Sequence, residues 1–123
     1  MDVRLSDAEL DVINVLWASD SPLSATDVAD AIGDDRKWSL ATVKTLLSRL
    51  LSKQAIAPAR DGRRFLYTPC IVRDAYVGAE SRRFVDRLFG GRLSPLIVQL
   101  AEEDRFSSDD VAAIEALLAR LRS

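Results

Sequence analysis

The chain contains no histidine and one cysteine, Cys70, among its 123 residues. A single cysteine closes no internal disulfide, which excludes a small secreted fold held by staples and makes a reducing cytoplasm the expected compartment. The same cysteine has no imidazole to turn it into a thiolate nucleophile, and no Gly-rich phosphate loop occurs. A metal site needs at least three ligands at suitable spacing, and without histidine or a cysteine cluster only weak oxygen sites are left. Glu102-Glu103 and Asp109-Asp110 fall beside expected helix ends, where solvated charge accounts for them. No enzyme activity, cofactor or metal is therefore expected. Nor does any stretch approach the roughly 18 uninterrupted apolar residues of a membrane span. Residues 1–10 alternate in charge and lack the apolar run of an export signal, so membrane insertion is not expected either.

What is present is ordinary in amount and unusual in distribution. Hydrophobic residues make up 48% and charged residues 29%, enough for one soluble core, and the length allows one domain or one domain with a short appended segment. The net charge of −2 hides a segregation: residues 1–35 carry one basic and nine acidic groups, whereas residues 36–64 carry eight basic and one acidic. A basic block sits inside an acidic protein.

Ser6 and Glu9 form a capping box ahead of Leu10, Ile13, Leu16 and Trp17, which predicts a helix from Asp7 to Ala18 ended by Asp20-Ser21-Pro22. Ser24 with Asp27 opens a brief second helix on Ala25, Val28, Ala29 and Ile32, which Gly33 can end in a left-handed conformation. Residues 34–37 read as a polar linker. Ser39 then caps a third helix of about 14 residues with an apolar stripe of Leu40, Val43, Leu47, Leu50 and Leu51. Residues 55–60 and 63–69 read as two strands around an Asp61-Gly62 hairpin turn. The remainder is helical: Val77, Phe84 and Leu88 on one helix closed by Gly90-Gly91, Ser94-Pro95 opening a second, and Ser107 with Asp110 opening a third, where Phe106 can staple onto Val111.

Three helices and a hairpin, with the positive block on the third helix and the hairpin, is the layout of a winged helix-turn-helix module. The expected fold is thus mainly α with a small β-hairpin: a winged-helix DNA-binding domain over residues 1–69 and a helical dimerisation region over residues 70–123. Phe84, Leu88, Leu96, Leu100, Val111, Ile114, Leu118 and Leu121 are the expected dimerisation residues, because short helices without a sheet leave such stripes uncovered. Folding of the tail back onto the first domain is the alternative.

At about 100° per residue, Ala41, Thr42, Thr45, Ser48, Arg49 and Ser52 lie opposite the apolar stripe of the third helix, with Lys44 at the flank. A major groove about 12 Å wide accepts a helix whose leading side chains are small, and hydroxyls, methyls and a cation are what base-edge readout uses. Thr42, Lys44 and Thr45 are the readout candidates. Arg49 and Ser39, with the first amides of that helix, are assigned to phosphate. Arg60, Arg63 and Arg64 flank the hairpin turn, from which a basic tip reaches backbone or minor groove. The bland alternative is a solvated helix face, and a protein-binding winged helix is the alternative function. Trp17 reads as core, Trp38 as core or as a neighbour of the sugar-phosphate, and Cys70 as a small buried hydrophobe.

The segments Leu5-Ser6-Asp7-Ala8-Glu9-Leu10, Val15-Leu16-Trp17, Trp38-Ser39, Thr42-Val43-Lys44-Thr45-Leu46-Leu47 and Arg49-Leu50 resemble the penicillinase and methicillin-resistance repressor family. Phe84 to Gly91 and Leu93 to Leu100 resemble its linker and dimerisation helices. The resemblance implies a homodimeric winged-helix repressor on a palindromic operator of a beta-lactamase or related resistance gene, relieved when a membrane-bound sensor metalloprotease detects antibiotic. It places Thr42, Lys44, Thr45 and Arg49 on double-stranded DNA. Many members carry a basic residue where this chain has Ala41, so one contact is missing. Inducible members are cut at an Asn-Phe pair where this chain has Gln99-Leu100, which argues against induction by cleavage. The copper-responsive branch has a cysteine-rich tail, which argues against copper sensing here.

Overall fold

A computed structural model describes residues 3–123; Met1 and Asp2, on which part of the reading of the first ten residues rested, lie outside them. The order is α1 (Asp7–Ala18), α2 (Ala25–Ile32), a 3-10 turn (Asp34–Arg36), α3 (Leu40–Ser52), β1 (Ile56–Asp61), β2 (Arg64–Pro69), α4 (Arg73–Phe89), α5 (Leu93–Glu102) and α6 (Ser108–Arg122). Two compact units divide between Val77 and Gly78.

In the first unit, capping residues set the helix starts. Ser6 Oγ accepts from the Glu9 amide and Glu9 Oε1 from the Ser6 amide, and Ser24 with Asp27 repeats the arrangement at α2. Gly33 ends α2 at φ 76°, ψ −171°, a positive φ in extended rather than left-handed helical backbone, and the expected linker after it is wound into the 3-10 turn. Val12, Ile13 and Leu16 of α1, Val28 of α2, Val43, Leu46, Leu47 and Leu50 of α3, and Ala55 and Ile56 form the core. The stripe on α3 is rotated from the expected one: Leu46 is buried, Leu51 is half-buried, and Leu40, in the first turn, is 40% exposed. On α1 the core takes Val12 and Glu9, while Leu10 and Trp17 pack at its margin. Trp17 Nε1 donates to the Ile71 carbonyl at 2.9 Å and its ring lies 6.0 Å from that of Tyr76, so residues beyond the hairpin belong to this unit.

β1 and β2 pair antiparallel from Ile56 opposite Pro69 to Asp61 opposite Arg64. That register makes Gly62 and Arg63 the two turn residues, one position later than Asp61-Gly62. Gly62 has φ +66° and Arg63 has no positive φ, the pattern of a hairpin turn with glycine at its first central position. Leu23, from the α1–α2 connection, adds a bridge to the free edge of β2 through two backbone hydrogen bonds with Tyr67. Cys70 is exposed, contrary to expectation: its amide donates to the Ala55 carbonyl, which holds the backbone while the thiol faces out.

In the second unit, α4 closes with Gly91 donating to the Val85 carbonyl six residues back. α5 starts at Leu93 with Arg92 in the N-cap position and no side-chain cap, so Ser94-Pro95 fall inside its first turn rather than ahead of it. Ser107 and Asp110 form the capping box of α6. None of these three helices contains a buried residue.

Candidate nucleic-acid interface

The face of α3 left over by the core carries Thr42, Lys44, Thr45, Ser48 and Arg49, all exposed. Ser39 is its N-cap: its Oγ accepts the Thr42 amide at 3.1 Å and shares a hydrogen bond with Thr42 Oγ1 at 3.1 Å. Thr45 Oγ1 donates to the Ala41 carbonyl one turn back, which holds its rotamer and leaves the hydroxyl oxygen able to accept. Small side chains thus stand in defined orientations along the exposed helix.

Lys44 is set apart from the threonines. It lines a hollow of about 460 Å³ with Ser24, Thr26, Asp27, Arg63, Arg64, Phe65 and Tyr67, where α2, α3 and the hairpin meet. The Leu23–Tyr67 bridge brings this about by drawing β2 against the start of α2. Three cations and one carboxylate make the hollow positive. The Asp27 carboxyl is held below the usual carboxylate range, first by the Ser24 amide, then by the Ser24 hydroxyl, with a smaller contribution from the charge of Arg64.

The hairpin cations differ in their freedom. Arg64 is ion-paired with Asp61 at 3.0 Å across the turn, and the Arg60 guanidinium lies 5.1 Å from the centre of the exposed Phe65 ring on the facing strand. Arg63 sits at the turn with no ion pair among the described residues. Phe65, which the sequence reads only as part of the second strand, is 45% exposed near the turn end of the two-stranded hairpin. Trp38 packs against the core with the Arg36 guanidinium 5.9 Å from its ring centre, and Arg36 also pairs with Asp11 at 2.9 Å.

The expected dimerisation residues divide by exposure. Phe84, Leu88, Val111, Leu118 and Leu121 are exposed, as are Leu93, Val98 and Leu117; Leu96, Leu100 and Ile114 are half-buried. Gln99 is exposed on α5, where its Nε2 donates to Glu103. Among the described residues no group of three or more acidic or cysteine side chains is placed to hold a metal ion, and no helix is long and apolar enough to cross a membrane.

A family model described as penicillinase repressor matches residues 5–120. The penicillinase repressor of Bacillus licheniformis is 31% identical over 115 residues, spanning 94% of this chain and 89% of that protein. The methicillin resistance regulatory protein MecI of Mammaliicoccus sciuri is 26% identical over 115 residues, 94% of this chain and 93% of its own. Among solved structures, the monomeric form of BlaI from Bacillus licheniformis, in complex with the blaP half-operator, is 36% identical with a TM-score of 0.52, covering 62% of this chain and 92% of that one. The motifs at Leu5–Leu10 and Trp38–Leu50 therefore lie within a match that spans both units, and the chain belongs to the penicillinase repressor family, a family of repressors and not of enzymes.

Proposed function

We propose that the chain is a dimeric transcriptional repressor that binds an inverted-repeat operator in the cytoplasm, ahead of a beta-lactamase or related resistance gene. The observation that carries the reading is the convergence, on exposed surface of one unit, of a small-residue helix face and a cationic hairpin, joined by the hollow that Lys44 shares with Arg63 and Arg64. In this reading α3 enters the major groove. Thr42 and Thr45 meet base edges, and Ser39, Arg49, Arg60, Arg63 and Arg64 contact the sugar-phosphate backbone. Lys44, which faces the hollow, reaches the backbone beside the groove as well as its edge. The half-operator complex of the Bacillus licheniformis protein supports DNA as the partner.

The dimer is supported by the second unit. Its helices bury no residue and expose Phe84, Leu88, Val111, Leu118 and Leu121. Covering each such side chain yields up to about 1.5–3 kcal/mol, and a second copy supplies a matching apolar surface. Two copies then present two α3 helices about 34 Å apart, one turn of DNA. Repression follows by exclusion of polymerase from the promoter.

The test is a gel shift with DNA from upstream of the gene, with a scrambled fragment as control. Preferential retardation that weakens steeply with added salt is expected. Absent or salt-insensitive binding overturns the reading.

A further inference from the structure

We propose that the Glu9–Lys53 ion pair positions the corner between α3 and the hairpin, so that both residues govern DNA binding without touching DNA. The inference rests on the DNA-binding reading above.

Three residues turn the chain from α3 into the hairpin. Lys53 is the helix C-cap, Gln54 takes φ 60°, and Ala55, fully buried, donates to the Leu50 carbonyl at 2.9 Å before β1 begins. The orientation of this corner sets the hairpin relative to the recognition face of α3. Lys53 Nζ leaves it inward: it donates to Glu9 Oε1 and to the Arg4 carbonyl, each at 2.7 Å. The neighbouring Leu5 amide donates to the Tyr76 hydroxyl at 3.3 Å, so residues 4–5 form a strap held on both sides.

Helix capping does not explain this arrangement. Three capping boxes occur among the described residues, and those of α2 and α6 use the exposed carboxylates Asp27 and Asp110 with no lysine. The box of α1 instead uses Glu9, which is 2% exposed, has one methylene more than aspartate, and reaches a lysine 44 residues away. Its second oxygen, Oε2, is buried and has no hydrogen-bond partner among the described residues. Lys53 therefore supplies the charge compensation that a buried carboxylate requires. The lysine side chain is 38% exposed, so it is free to swing into solvent if released. Its charge counts in the basic block of the sequence yet is already matched by Glu9.

The two possible roles of Lys53 give opposite signs. Affinity for the upstream DNA and its salt dependence are measured on the full chain for Glu9→Gln, Lys53→Met, the double variant and Lys53→Arg, with circular dichroism reporting the folded fraction. If the pair positions the corner, Glu9→Gln and Lys53→Met each weaken binding about 5-fold, as for a typical coupled pair. The double variant is then no worse than either single one, Lys53→Arg recovers part of the loss, and the salt slope is unchanged. If Lys53 instead touches phosphate, Glu9→Gln leaves affinity unchanged or tightens it, and Lys53→Met lowers the slope by about 2 per dimer; either result overturns the proposal. A melting temperature that falls while the folded protein keeps its affinity overturns it too, as a merely structural effect. Should Glu9→Gln fail to fold, Lys53→Met and Lys53→Arg carry the same test. Wild-type protein that does not bind DNA removes the underlying reading and this inference together, whereas normal wild-type binding with indifferent variants removes only the inference.

Discussion

Eight basic residues lie between Arg36 and Arg64, but three are already matched by carboxylates: Arg36 by Asp11 at 2.9 Å, Lys53 by Glu9 at 2.7 Å and Arg64 by Asp61 at 3.0 Å. Counterion release on DNA should come chiefly from cations without such a match, and Lys44, Arg49, Arg60 and Arg63 are those on α3 and the hairpin. Arg64 also reaches the backbone but displaces few counterions, its charge being already matched by Asp61; four cations per protomer and two protomers then give about eight phosphates and a slope of log K against log salt of about −7. Raising salt fourfold, from about 50 to 200 mM, then costs about ten-thousand-fold in affinity. Arg63→Ala removes two contacts per dimer, brings the slope to about −5.4 and reduces that loss to about two-thousand-fold. Arg36→Ala, which removes a charge already paired with Asp11, leaves the slope unchanged. Fluorescence anisotropy of a labelled upstream fragment, titrated over several salt concentrations, reads both. Equal drops for the two variants, or no drop for Arg63→Ala, refute the assignment of free and paired cations.

Leu47, 1% exposed on α3, should cost about 2–5 kcal/mol when cut to alanine, read by urea unfolding; a loss below about 1 kcal/mol contradicts the core described. Leu88→Asp, on an exposed apolar face of α4, should convert dimer to monomer in analytical ultracentrifugation and leave the fold of the first unit intact, and an unchanged sedimentation coefficient counts against that face. Acid should destabilise the protein through two carboxyls. Burial pushes Glu9 up, but the bonds from Lys53 and Ser6 outweigh it, so its folded value lies below the ordinary one; that of Asp27 is lowered by Ser24. Groups depressed in this way stabilise the fold fully above about pH 5 and lose that contribution as pH falls through their folded values. Thermal melts should therefore drop between about pH 5 and 3, and Glu9→Gln should flatten part of the drop; a melting temperature that rises in acid is the contrary result.

The elements that announced themselves in the sequence are those whose signals are local. Ser6 with Glu9, Ser24 with Asp27, Ser39, and Ser107 with Asp110 each satisfy amides within the same helical turn, so the helix starts were legible. The exposed cationic face of α3 was legible for the same reason, since an arc follows from spacing alone. What depended on distant partners was not. Leu40 shares the helical spacing of the stripe yet is 40% exposed, because which turns of α3 the neighbouring elements cover is not written in its own periodicity. The Leu23–Tyr67 bridge, which creates the hollow around Lys44, joins residues with no shared local pattern. Sequence counted Lys53 and Arg36 among the basic block, but their carboxylate partners, Glu9 and Asp11, lie in the acidic block far up the chain.

The central claim is that two α3 faces meet DNA together. Hydroxyl-radical footprinting of the intact protein on its upstream fragment measures this directly. Two symmetry-related protected patches, centred about 10 base pairs or a whole multiple of that apart on an inverted repeat, are predicted; a single patch, or uniform protection without sequence preference, contradicts the account.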